Sequence, residues 1–304
     1  MNIFFQLGRC ARAAKKLLSI GLAATLMCLP ASAKVIHEER SLYRNILISE
    51  ENGERCMRFV LHARATHNQS CINLREPRKL VFDYTKMVLA AILVKPEPKN
   101  ILIVGLGGGT LPKTLHELLP NSTTTSAEID PAVVKAAKRY FDYQESERIQ
   151  TVAMDARVYL KRAIRDGKKW DLIILDAFNG DYIPEHLMTK EFLQEVRSAL
   201  QPGGLVAANT FATSRLYHHE SVTYEAVFAQ VKMLSSERGN RVLLAAADAF
   251  VLPGPDLAAQ EWQARLTPYG VDVRQLLALE KPADWDKSVK VLTDQFAPAN
   301  LLKH

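Results

Sequence analysis

The sequence predicts an α/β fold, a doubly wound parallel sheet preceded by a small antiparallel β-domain. Three observations carry this. Apolar strand-like runs alternate with helical spacing from about residue 100 to 232. The run Ile101-Leu-Ile-Val-Gly-Leu-Gly-Gly-Gly-Thr110 reads as a buried strand, a glycine-rich turn and a helix start. Before them, Tyr43–Ser49 and Glu54–Leu61 flank a Glu-Asn-Gly turn with the apolar alternation of a hairpin.

The N-terminus comes first in chain order. Arg9, Arg12, Lys15 and Lys16 precede the apolar run Leu17–Leu29, and Pro30-Ala31-Ser32-Ala33 ends it with an Ala-x-Ala pattern. This is the layout of a secretory signal peptide spanning residues 1–33, cleaved before Lys34. The expected location is therefore exported, in the periplasm, with an uncleaved membrane anchor as the alternative. The run is too short for a comfortable span, so no stable membrane span is expected after processing. Without those four cations the formal charge falls from +6 to about +2. A basic signal for nucleic acid disappears with them. Of four cysteines, Cys56 and Cys71 remain, and both sit in the strand-like segment. They can form a disulfide in an oxidising compartment or stand as two buried thiols.

Residues 34–79 form the expected β-domain. Leu80 to Val94 has helical spacing and stops before Pro96 and Pro98. Residues 80–304 make up the larger domain. Its strands are expected at 100–105, 123–129, 149–154, 170–176 and 203–209, and its helices at 109–119, 131–140, 155–166, 189–200 and 216–232. Arg241–Ala247 is a further strand, paired antiparallel with residues near 233–238. The tail from Pro255 reads as mixed helix and loop.

The chemistry gathers at strand ends. Gly105, Gly107, Gly108 and Gly109 let the backbone approach a ligand closely. Glu128 and Asp130 end the next strand at the usual distance for a ribose-binding acid. Asp130 also reads as the N-cap of a helix beginning at Pro131, which leaves Glu128 as the ribose ligand. Asp155, with Ala156 beside it, ends the third strand and can either meet an adenine amino group or cap a helix. Asp176 ends the fourth, beside the loop Ala177-Phe-Asn-Gly-Asp181, where a carboxylate can hold a cation or take a proton from an amine. Gln69 and Tyr84 are candidate pocket walls. The histidines lack metal-ligand spacing, so no metal is expected. No Gly-x-Ser-x-Gly elbow supports a hydrolase.

In combination, Gln69-Ser70, Tyr84, the Gly105–Gly109 turn, Glu128-Ile-Asp-Pro131, Asp155, Asp176, Ile183-Pro-Glu-His-Leu187 and Leu200-Gln-Pro-Gly-Gly204 resemble spermidine synthases. These are the polyamine aminopropyltransferases, and the likeness is to their divergent bacterial branch. It implies a methyltransferase-type Rossmann domain, decarboxylated S-adenosylmethionine as donor and a diamine such as putrescine as acceptor. Family members are commonly dimers or tetramers, so a homodimer is expected. On this resemblance Glu128 holds the ribose, Asp155 the adenine, and Asp176 is the base or amine anchor. Tyr84, Asn179 and Asp181 then fall on the substrate side. Three positions depart from the family pattern. Gly108 stands where the family's glycine loop carries Asp, Asn179 where the substrate loop carries a second Asp, and Leu80-Val81 where an acidic pair precedes the tyrosine. The loss at Gly108 leaves methyl transfer from ordinary S-adenosylmethionine as a rival reading. Export leaves another, an exported non-catalytic ligand-binding protein on the same fold, because a charged nucleotide donor does not cross a bilayer unaided.

Overall fold

The computed structural model describes residues 33–61, 64–178, 182–237 and 239–298. The expected signal peptide before Ala33 lies outside them, as do Asn179 and Asp181.

Four strands open the chain: β1 (Lys34–Arg40), β2 (Asn45–Glu51), β3 (Glu54–Leu61) and β4 (Arg64–Asn73), ordered β1-β2-β3-β4 in one antiparallel sheet. The turn between β2 and β3 is the expected one. Asn52 and Gly53 both have positive φ, 53° and 81°, which a two-residue hairpin loop requires. Alternation along the strands turns Ile46, Ile48, Met57 and Ile72 inward, onto Val133, Ala136 and Phe141 of the larger layer. Cys56 and Cys71 face each other directly across β3 and β4, with Cα atoms 4.1 Å apart, and form a disulfide.

The expected helix at 80–94 is two short ones, α1 (Asp83–Val88) and α2 (Ala90–Val94). Then follow β5 (Asn100–Val104), α3 (Thr110–Leu118), β6 (Thr123–Glu128), α4 (Pro131–Tyr140), β7 (Ile149–Ala153), α5 (Ala156–Arg165), β8 (Trp170–Leu175), α6 (Lys190–Ser198) and β9 (Leu200–Phe211). The chain closes with α7 (Tyr217–Glu225), β10 (Gln230–Ser235), β11 (Asn240–Ala246), α8 (Pro255–Leu266), α9 (Val273–Leu277) and the two-residue β12 (Glu280–Lys281).

These strands make one sheet ordered β12-β10-β11-β9-β8-β5-β6-β7, parallel from β9 to β7 and antiparallel at β10, β11 and β12. The central parallel strands β5, β8 and β9 are buried on both faces, as crossover helices demand. Their residues divide by parity. Ile101, Ile103, Leu172 and Ile174 enter one core, while Leu102, Val104, Ile173 and Leu175 enter the other. The chain leaves β5 toward β6 on one side and later returns to β8 on the other. Strand order reverses there, which opens a crevice at the carboxyl ends of β5 and β8.

One element differs from expectation. The helix predicted to reach residue 232 stops at Glu225, and 230–235 is a strand. Val227, Phe228 and Val231 keep helical spacing, but β11 needs a partner on its free edge. Val231 through Leu234 supply it, opposite Ala245 through Val242. No described helix is long and apolar enough to cross a membrane.

Candidate active site

The cleft at the strand reversal has a volume of about 240 Å³. Its floor is the glycine turn. At Gly105, φ is +104° and an added Cβ would lie 2.4 Å from the Asp176 carbonyl oxygen. Only glycine lets the end of β5 cross the end of β8 this closely. Gly105 and Gly107 line the cleft, and Gly108 and Gly109 do not. A Cβ at Gly108 would meet Ser70 Oγ at 2.7 Å and the Phe141 ring at 2.8 Å, and one at Gly109 would strike the Tyr143 ring. At these two positions glycine is what the packing of Ser70, Phe141 and Tyr143 allows. Thr110, which opens α3, lines the cleft with a hydroxyl that has no protein partner.

Glu128 ends β6 with both oxygens engaged, accepting from the backbone N–H of Leu106 at 3.1 Å and of Asp130 at 3.0 Å. Burial nevertheless pushes its carboxyl up to about 7. Asp130 turns away. It is 4% exposed, caps α4 by accepting from Ala132 N at 2.9 Å, and accepts from Ser41 Oγ. It is absent from the cleft wall, and the helix cap is the role its contacts show. The cause is the turn after Glu128: Pro131 opens the helix, and the residue before it is committed to the cap.

Asp155 caps a helix, as one of its two expected readings has it, and keeps its second oxygen toward the cleft. Oδ1 caps α5 through Val158 N at 2.9 Å, and Oδ2 faces the cleft with His186 Nε2 at 2.9 Å. The His186 hydrogen bond holds this carboxyl below its usual range, against partial burial. Ala156 lies beside it on the wall.

Asp176 sits past the end of β8. Asn209 Nδ2, from β9, donates to Oδ1 at 2.9 Å, and Tyr84 O–H, from α1, donates to Oδ2 at 3.3 Å. Burial pushes the carboxyl up to about 7, with the like charge of Glu128 adding to the shift. Burial and the neighbouring Asp176 raise the Tyr84 phenol well above its usual value, so it remains a donor. Gln69 also lines the cleft, and its Nε2 donates to His67 O at 2.9 Å. The cleft therefore brings together Gln69, Tyr84, Gly105, Gly107, Glu128, Asp155, Ala156 and Asp176. Asn179 and Asp181 lie outside the described residues.

Sequence reasoning missed Asn209, His186 and the aromatic wall of Phe59, Phe82 and Phe178. Asn209 carried a signal, as an amide ending the apolar run Leu205–Ala208. The aromatics carried none, because three distant segments supply them. Among the described residues no lysine or arginine lines the cleft. The Glu54, Cys56 and Cys71 group has metal-like proximity, but its sulfurs are joined to each other and offer no thiolate.

A spermine/spermidine synthase domain matches residues 81–236, just over half of the chain. The chain is 44% identical to a polyamine aminopropyltransferase of Vibrio vulnificus over 279 residues, covering 88% of this chain and 91% of the relative. The chain belongs to the spermine/spermidine synthase family. Solved structures agree on the fold. A probable spermidine synthase from Corynebacterium glutamicum superposes with a TM-score of 0.62 at 20% identity, covering 84% of this chain and 98% of that one. A spermidine synthase in complex with the transition-state analogue AdoDATO gives 0.57 at 19% identity, covering 88% and 84%. Gly108 lies within a spermine/spermidine synthase fold in which Ser70 and Phe141 fill the space an aspartate there would need.

Proposed function

We propose that this protein is a polyamine aminopropyltransferase that moves an aminopropyl group from decarboxylated S-adenosylmethionine to a diamine such as putrescine. One observation carries the reading. Asp176 is a half-buried carboxylate held by Tyr84 and Asn209 in the same cleft as Glu128 and Asp155, and its surroundings push its carboxyl up to about 7.

Glu128 accepts from the ribose hydroxyls, and Asp155 takes the adenine amino group. The turn at Gly105 and Gly107 gives the nucleoside room against the backbone. Charge favours the decarboxylated donor, since the described cleft offers carboxylates and no lysine or arginine to pair with a donor carboxylate. The Asp176 carboxylate accepts a proton from the acceptor's ammonium. The freed nitrogen lone pair attacks the aminopropyl carbon bonded to sulfur. The C–S bond breaks, sulfur keeps the electron pair, and the products are 5′-methylthioadenosine and an elongated amine. Alignment and amine deprotonation are the main requirements.

The test uses the chain lacking residues 1–33, with decarboxylated S-adenosylmethionine and putrescine. Spermidine is the expected product. Asp176→Asn should lower kcat at least about 100-fold and leave 5′-methylthioadenosine binding within a few-fold. Full activity in that variant would sink the role given to Asp176. We further propose that the chain acts after export, on the signal-like pattern of residues 1–33.

A further inference from the structure

Residues 282–298 lie beyond the stretch that the family domain matches, and apart from a two-residue bridge they form no regular element. They are nonetheless tightly anchored. Leu292 is fully buried against Met188 and Leu216. Its carbonyl accepts from Lys190 N at 2.8 Å, and its N–H donates to Thr223 Oγ1 at 2.9 Å.

Two residues later, Asp294 takes both ends of one guanidinium. Arg157 Nη1 donates to Oδ1 at 2.7 Å and Nη2 to Oδ2 at 2.8 Å, while Thr189 Oγ1 also donates to Oδ1. Arg157 is the second residue of α5, two positions after Asp155. It is 11% exposed and is also held by Glu195. Its Nη1 donates in turn to the backbone carbonyl of His186 at 3.2 Å. His186 Nε2 then meets Asp155 Oδ2 in the cleft. An unbroken line of contacts thus runs from the chain's last described segment to the cleft wall.

We infer that residues 284–296 form a strap that sets the base-binding wall of the donor site, with Asp294 as a positioning residue acting through Arg157 and His186. The inference rests on the reading that Asp155 receives the donor's adenine. The geometry suits fixing a position more than stabilising a surface. A planar guanidinium gripped at both ends by a carboxylate has one orientation, and only that orientation presents Nη1 to the His186 carbonyl. Glu195 holds the Nε and Nη2 side of the guanidinium, and without Asp294 the Nη1 corner that reaches the His186 carbonyl loses its own carboxylate. His186 then loses its support from behind, and Asp155 loses a partner that fixes its rotamer.

The test compares Asp294→Asn, Asp294→Glu and Arg157→Lys with the unaltered chain. It measures KM for each substrate, kcat, and calorimetric binding of 5′-methylthioadenosine. Asp294→Asn and Arg157→Lys should raise the donor KM and the nucleoside Kd about ten-fold, the scale of a sub-ångström misplacement. The putrescine KM and kcat at saturating donor should stay within about two-fold of the unaltered chain, and Asp294→Glu should recover most of the donor affinity. If donor KM and nucleoside Kd are unchanged in both variants, the strap is only structural and the inference fails. It fails equally if all constants worsen together with the folded fraction seen by circular dichroism. If one variant does not fold, the other decides. An unaltered chain that neither transfers an aminopropyl group nor binds the nucleoside would overturn the aminopropyltransferase reading itself, and the strap with it.

Discussion

Asp176 owes its reactivity to where the strand stops. One residue earlier it would be inside the sheet. At the tip it is half-buried, it has two neutral donors, and burial pushes its carboxyl up to about 7. In the free enzyme, kcat/KM should therefore fall about ten-fold per pH unit below that value and level off above it. The same shift acts on stability with a definite sign. The folded carboxyl titrates above its unfolded value, so its contribution is full below about pH 4 and is lost as pH rises through 7. Asp176→Asn should raise Tm at pH 8 and leave it nearly unchanged at pH 4, beside its loss of turnover. Gly108 makes a second case at this scale. Phe141 is fully buried and cannot yield, so Gly108→Ala should cost about 1–3 kcal/mol in chemical unfolding. A variant as stable as the unaltered chain would refute the packing role. The glycine turn was legible in the sequence. Which glycines face the ligand was not, because Ser70, Phe141 and Tyr143 decide it from other parts of the chain.

Among the elements, those set by local chemistry were legible and those set by a partner were not. The Asn52-Gly53 turn and the Pro131 helix start carry their own backbone preferences, and both are where the sequence placed them. The pairing of Arg241–Ala246 with the segment before it was legible, but the start of that segment was not, because 230–232 keep the helical spacing of the residues before them. Their conformation is chosen by the exposed edge of β11, a fact held some ten residues further on. Strands β3 and β4 lie between these cases. Sequence left their cysteines as a bridge or two thiols, and the register places them opposite one another. The bridge closes a short loop, with 15 residues of sequence separation. Replacing both cysteines by serine should cost about 3 kcal/mol on the loop-entropy scale. Cys71 also lines the cleft beside Gln69 and Ser70, so nucleoside binding should weaken in the same variant. Unchanged stability on replacement or reduction would show that the hairpin needs no staple.

At the scale of the whole molecule, two sheets share one compact unit covering Ala33–His304. The small sheet supplies Gln69 and Ser70, the glycine turn comes from the large one, and α1 brings Tyr84. None of these sources forms a site alone, so the cleft exists only once the layers have met. This is why the acids at successive strand ends could be read early, while Asn209 and the aromatic wall could not. The disulfide is what an oxidising compartment favours, in keeping with the proposed export. Sequencing the N-terminus of protein recovered from a periplasmic extract should return Lys34. An intact Met1 on protein confined to the cytoplasm would refute export.

That no lysine or arginine among the described residues lines the cleft has a consequence for the direction of traffic. On the proposed reaction the donor arrives carrying a sulfonium and an ammonium, and the acid-lined walls draw it in. Transfer sends the aminopropyl group to the acceptor and leaves sulfur as a neutral thioether. The nucleoside that remains has no charge for those carboxylates to hold. Chemistry itself thus cancels the attraction that loaded the site, and the spent nucleoside becomes the weaker occupant whenever fresh donor is present.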